Sequence, residues 1–429
     1  MQSMNSGNHW LYSWIDEFEA NTPEAARRAL SSSSAINRLE DLARLGAQMT
    51  FEDVPYTGTV VAGPGLEITS PATCSAFECR RLGLDNELGS VLHYFDQVVM
   101  QGPQASAYLM LVEQLRSSSH SHLLTSDVVQ DVASLNYIRD SGMGNHIIFT
   151  DKPCYCENHL WELAQNIGLG EIATPDAISS AAQQLVRRDA VRIEELEPGV
   201  WWGSAKSPTF NNTVGRPFHQ KRKPSRRHVA ELVIRNSLAA MIIDAGAAKA
   251  LDLPLSSVAH PALFEQKVAD EVTVDDVALR MKIPVLSGLS TAQLIKLRLN
   301  APDDFIVFQQ ALTMAISATL ANDQTSNPAA VGEKAWQEIL KPALADLERK
   351  LTADRWALGV GGFATVSVGF AAAAISLIAN LPLAAALLGS AVSATIPLNQ
   401  FSEYIKDRKQ ARSSPYYFLW RARKVQTHA

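Results

Sequence analysis

From Trp356 to Ser402 the chain runs 47 residues without one charged side chain. Such a stretch is stable in only two places: next to lipid, or wrapped on every side by protein. Asn380 and Pro382 divide it into two legs. The first, Ala357 to Ala379, would measure about 35 Å as a helix, longer than the roughly 30 Å hydrocarbon core of a bilayer. Its nine Leu, Ile, Val and Phe side chains favour insertion by roughly 3–5 kcal/mol, opposed by four glycines, two serines and a threonine. The second leg has 14 residues between Pro382 and Pro397, about 21 Å of helix, short for a span. Small residues recur every fourth position, at Ala357, Gly361, Thr365, Gly369 and Ala373, and again at Ala385, Gly389 and Ser393. That spacing lets two helix backbones approach closely, so the pattern predicts a tight hairpin. Gly361, Gly369, Asn380, Pro382 and Gly389 are the residues expected to set its geometry. Basic residues on both flanks place both ends on the cytoplasmic side. The bland alternative is a central helical pair buried in a soluble domain.

The uncharged run lowers the charged fraction to 19%, against about 25% in typical soluble domains. A net charge of −6 excludes a chain that is basic throughout, so any anionic partner must meet a local patch. Four cysteines in 429 residues suggest reduced thiols. The first twenty residues lack the basic end and continuous apolar stretch of a signal peptide, so residence in the cytoplasm is expected, with association at the inner membrane through the C-terminal region.

Three short β-branched runs, "GTVVAG" (58–63), "QVVMQG" (97–102) and "NHIIFTDKP" (145–153), are separated by helical stretches. Alternation of that kind predicts a mostly parallel sheet. The fold class expected is mixed α+β: an N-terminal α/β region followed by a mostly helical region that ends in the hydrophobic hairpin. The corresponding boundaries are a helical segment at 1–50, an α/β domain at 51–170 and an irregular basic linker at 171–228. A helical domain follows at 229–350, then the hairpin with an aromatic-basic tail at 351–429. Thr22 and Pro23 read as the cap and first position of a helix.

Within "GRPFHQKRKPSRRH", Arg216, Lys221, Arg222, Lys223, Arg226 and Arg227 fall within twelve residues with no acid among them. The pattern fits a site for an anionic partner, either nucleic acid or lipid head groups; a solvated loop is the plain alternative. Phe218 is the only aromatic interleaved with these cations, so stacking of a single strand has little support from the sequence. Asp96, Asp151 and Glu157 stand near strand ends, where carboxylates can hold Mg²⁺ for phosphodiester cleavage. Asp96 precedes its strand and Asp151 follows its own, so a parallel sheet would hold them at opposite edges. Cys74, Cys79, Cys154 and Cys156 lack the spacing of a zinc site and are expected to be small buried hydrophobes. The chain carries no P-loop, H-E-x-x-H or G-x-S-x-G pattern, and no cofactor is expected.

"IPVLSGLSTAQLIKLRLNAPDDFIVFQQAL" (283–312) and "SSPYYFLWRARK" (413–424) resemble segments of uncharacterised bacterial proteins with an Ala/Gly-rich hydrophobic region before an aromatic-basic tail. The resemblance covers the last third and implies a bacterial source, with a phage-defence or toxin context. It brings no catalytic residue. In composition the hairpin is also similar to that of pore-forming colicins. The function expected is therefore a conditionally membrane-associated effector, triggered by a partner and able to permeabilise a bilayer. A soluble metal-dependent nuclease and a non-catalytic interaction module are the alternatives.

Overall fold

The computed structural model describes residues 9–47, 58–63, 68, 76–117, 121–150, 156–206, 213–256, 272–322, 327–359 and 414–427. They form two compact units, one of residues 1–280 and 290–295, the other of residues 281–289 and 296–429. The architecture is mixed α+β, with a parallel sheet in the first unit and helices in the second.

The three β-branched runs form β1 (Thr59–Ala62), β2 (Gln97–Gln101) and β3 (Ile147–Thr150). Val60, Val61, Val98, Val99 and Ile147 are buried, which is why these strands read as continuous apolar runs rather than alternating ones. Helices fill the connections, Phe77–Gly83 between β1 and β2, then Ala105–Ser117 and Ser121–Asp140 between β2 and β3. The first three helices, Trp10–Glu17, Pro23–Leu30 and Ser33–Gly46, belong to the same core rather than to a separate segment. Trp10 Nε1 donates to the Pro103 carbonyl at 2.9 Å and the Tyr12 hydroxyl to that of Leu135 at 2.9 Å. Thr22 caps its helix as expected, Oγ1 accepting from the Ala25 amide at 3.2 Å with Pro23 in the first position.

Of residues 171–228, expected as an irregular linker, the described ones (171–206 and 213–228) lie mostly in helix and strand instead. After the Pro175–Arg187 helix come β4 (Val191–Glu197), β5 (Val200–Lys206) and β6 (Thr213–His219), an antiparallel sheet in the order β4-β5-β6. Val191, Ala205, Val214 and Phe218 on its inner face pack with Ala230, Val233 and Ile234 of the Arg226–Leu251 helix. The glycines that suggest a loop have a packing cause. A Cβ on Gly203 would lie 2.6 Å from the Phe218 ring and 2.9 Å from Val229; one on Gly215 would lie 2.6 Å from the Trp202 indole.

The Arg226–Leu251 helix also moves a boundary. Its C-terminal end packs on the parallel sheet through Ala248 and leads through Leu253 into β7 (Leu255–Ser256) beside β1. It therefore belongs to the first unit, not to a helical domain beginning at 229. The second unit contains the Pro302–Asn322, Pro328–Ala335 and Lys341–Gly359 helices and the terminal Tyr417–Thr427 helix. Phe305, Phe308 and Phe418 form its aromatic centre, with ring centroids 5.1 and 5.4 Å from Phe418.

Candidate functional site

The parallel sheet has the order β3-β2-β1-β7, so the direction of strand addition reverses at β1. In open α/β sheets ligands bind at the carboxyl ends beside such a reversal. Here that edge is well filled among the described residues. The Gly63 amide donates to the Ser256 carbonyl at 3.0 Å and to its Oγ at 3.3 Å. At the ends of β2 and β3, His9 packs edge-on against Phe149 at 5.0 Å and leaves no room for a side chain at Gly102. Burial lowers the imidazole to about 3, opposed by the Pro103 carbonyl, so the ring is neutral and its Nδ1 accepts from the Leu11 amide at 3.1 Å. His9 is a helix cap in the core, and no sequence pattern marked it.

Asp96 lies at the other edge. Its amide donates to the Gly58 carbonyl at 2.7 Å and His146 Nδ1 lies 2.9 Å from its carbonyl, so it closes the turn before β2. Asp151 is outside the described residues; it follows Thr150, the last residue of β3. Glu157 begins the Glu157–Asn166 helix. Among the described residues no three His, Cys, Asp or Glu side chains gather as a metal site. Cys74 and Cys154 lie outside the described residues. Cys79 and Cys156 are exposed, contrary to the expectation of buried thiols, and Cys156 Sγ is 3.1 Å from His159 Nδ1. Cys156 directly precedes the helix rather than sitting on its apolar face, which is why it escapes burial.

A buried polar network links three helices of the first unit. Arg80 and Asp131 pair at 2.5 Å, and the Tyr108 hydroxyl donates to Asp131 Oδ2 at 2.7 Å, all three being buried. Burial and the adjacent Asp131 carboxylate push Tyr108 well above the usual phenol range, and burial followed by the same carboxylate raises Asp127. These groups tie the Phe77–Gly83 helix to the Ala105–Ser117 and Ser121–Asp140 helices.

The basic cluster divides in two. Arg226 pairs with Asp189 and donates to the Val191 carbonyl at 2.9 Å. Arg227 meets Glu231 at 3.0 Å and Ser179 Oγ at 2.6 Å. Both are committed to holding the start of their helix. Arg216, on β6, and Lys221, Arg222 and Lys223, in the turn after it, are exposed, and among the described residues no carboxylate pairs with them. That turn has a defined backbone: the Gln220 amide donates to the Gly199 carbonyl at 2.9 Å, Gln220 Nε2 to that of Arg222 at 2.8 Å, and Trp201 Nε1 to that of Gln220 at 3.1 Å. Phe218, the interleaved aromatic, is buried against His228.

The hairpin residues Gly361, Gly369, Asn380, Pro382 and Gly389 lie outside the described residues. Among the described ones a single helix, Pro302–Asn322, is long and apolar enough to cross a membrane. Phe305, Phe308, Leu312 and Ile316 on one face are core, whereas Ile306, Val307 and Met314 on the other are 50%, 40% and 65% exposed. The tail is structured: Phe418, Leu419 and Ala422 are buried, Arg421 pairs with Asp304 at 3.1 Å and Arg423 with Glu348 at 2.7 Å. Compared with protein-family models, curated proteins and solved structures, the chain matches none.

Proposed function

We propose that this chain is a membrane-associating protein, its second unit making the contact with lipid and its first unit supplying the soluble body. One observation carries this. The 47-residue uncharged run leaves from the Lys341–Gly359 helix and the chain returns at Ser414, both in the second unit. Departure from and return to one body is what a hairpin with both ends on the cytoplasmic side requires. The uncharged exposed face of the Pro302–Asn322 helix, with Ile306, Val307 and Met314, adds apolar surface on the same unit. Binding of this kind scales with apolar area delivered to the interface, and the flanking cations Lys406, Arg408, Lys409 and Arg412 favour anionic lipid.

The test is flotation of the full chain with liposomes, with and without phosphatidylserine, followed by a carbonate wash and a dye-leakage assay. Co-flotation that survives carbonate, with leakage, is the expected result. A chain that stays in the soluble fraction and leaves anionic vesicles intact overturns the proposal.

A further inference from the structure

The terminal helix of the second unit, Tyr417–Thr427, has two unlike faces. Phe418, Leu419 and Ala422 form the inner one and are buried, the Phe418 ring stacked on that of Phe308. At 3.6 residues per turn, Tyr417, Trp420 and Lys424 fall on a single stripe on the opposite side. Tyr417 and Trp420 are partly exposed and Lys424 is exposed. Two ion pairs hold this orientation from the flanks. Arg421 meets Asp304 of the Pro302–Asn322 helix, and Arg423 meets Glu348 of the Lys341–Gly359 helix. Rolling the stripe inward would break both pairs and draw Phe418 out of the core.

The stripe is itself organised. The Tyr417 ring stacks on the Trp420 indole, with centroids 5.1 Å apart and planes 23° apart, and the Lys424 ammonium lies 4.1 Å from the centre of the Trp420 ring. Each of the three side chains has an apolar body and a polar or charged tip. Side chains of that build gather where hydrocarbon meets water, because the body suits the acyl region and the tip suits the head groups. Position in the chain points to the same surface. Tyr417 follows Ser402, the last residue of the uncharged run, by fifteen positions. Lys406, Arg408, Lys409 and Arg412 fall between them, with two acids, Glu403 and Asp407, so the approach to the stripe carries net positive charge. That charge complements an anionic leaflet. A bilayer that receives the run brings its head groups to the residues that follow it.

We propose that Tyr417, Trp420 and Lys424 seat the terminal helix at the head-group level of an anionic phospholipid leaflet, the two rings entering the glycerol region and the Lys424 ammonium meeting a lipid phosphate. The inference rests on the membrane-associated reading above and adds to it an anchoring site outside the uncharged run.

The test uses the full chain and phosphatidylcholine vesicles with and without phosphatidylserine. Binding is read by flotation, and depth by quenching of tryptophan emission with a lipid that carries a nitroxide on its head group. The parent chain floats and its emission is quenched. Trp420→Phe keeps an aromatic ring and removes the reporter, so it floats like the parent and loses the head-group quenching. Trp202→Phe, on the antiparallel sheet of the first unit, loses none. Combined Tyr417→Ala and Trp420→Ala lower vesicle affinity about tenfold, as binding scales with the apolar area delivered. Lys424→Gln lowers affinity for phosphatidylserine vesicles about fivefold and changes that for phosphatidylcholine alone less than twofold. Circular dichroism shows that these variants fold, since the buried face and both ion pairs are untouched. Head-group quenching in Trp420→Phe equal to that of the parent, or parental affinity in the Tyr417–Trp420 double variant, overturns the inference while flotation of the parent leaves membrane association standing. A parent chain that does not float overturns both.

Discussion

Gly203 and Gly215 show how much a single missing side chain carries. Each faces an aromatic ring or valine within 3 Å of where a Cβ would stand, so Gly203→Ala forces Phe218 or Val229 to move. Overpacking of this kind costs about 1–3 kcal/mol, measurable as a lower denaturant midpoint with an unchanged slope. At the Arg80–Asp131–Tyr108 network the cost has another origin. Asp131→Ala leaves the Arg80 guanidinium buried without its carboxylate, a loss of about 3–5 kcal/mol in the same assay, and Tyr108→Phe costs less because it removes only a neutral donor. His9 makes stability depend on pH. Its folded value, about 3, lies below the 6.5 of an unperturbed imidazole, so between those values the unfolded chain binds the proton and the folded one does not. Its contribution is intact above pH 6.5, is lost progressively as pH falls, and levels off near pH 3, a drop on the order of 5 kcal/mol. His9→Asn keeps a capping acceptor and removes the titration, so its unfolding free energy has a shallower acid slope than the parent chain.

Among the elements, the Pro302–Asn322 helix is divided lengthwise. Its inner face holds Phe305, Phe308, Leu312 and Ile316, and substitution there damages the core. Its outer face, with Ile306, Val307 and Met314, is exposed, and no charge falls between Asp304 and Asn322. Ile306→Lys with Met314→Lys therefore leaves thermal stability within about 0.5 kcal/mol per site. If this face touches lipid, the same double substitution lowers liposome co-flotation several-fold; unchanged flotation assigns the contact elsewhere. The Arg226–Leu251 helix works differently. Its N-terminal half covers the antiparallel sheet and its C-terminal end covers the parallel one, which makes the two sheets one folding unit. Ile234→Ala, beside the antiparallel sheet, is expected to cost about 2–5 kcal/mol and to lower the unfolding temperature of both sheets together.

For the whole molecule, two compact units predict two calorimetric transitions. Asp131→Ala shifts only the transition of the first unit, while breaking the Phe305–Phe308–Phe418 centre with Phe418→Ala shifts only the other. A single transition moved by both substitutions would show that the units unfold as one. The tail belongs to the second unit's own packing, because Arg421 and Arg423 are paired with Asp304 and Glu348. Those two cations are therefore spent within the protein.

The sequence alone determined the parallel strands, because the centres of β1 and β2 are buried on both faces and so read as unbroken apolar runs, Val60–Ala62 and Val98–Met100. It also determined that residues 356–402 need lipid or a wholly apolar surround, since no charge is there to face water. The antiparallel sheet was invisible for a definite reason. Gly203, Gly215 and Pro217 interrupt its alternation, and the first two are glycine only because Phe218, Val229 and Trp202 fill their side-chain positions from elsewhere. The division of the basic cluster was equally hidden: the acids that hold Arg226 and Arg227 are Asp189, 37 residues away, and Glu231 one turn on. Only folding decided that Arg226 is spent on an ion pair, because its partner Asp189 is brought to it from a distance that the linear order keeps apart.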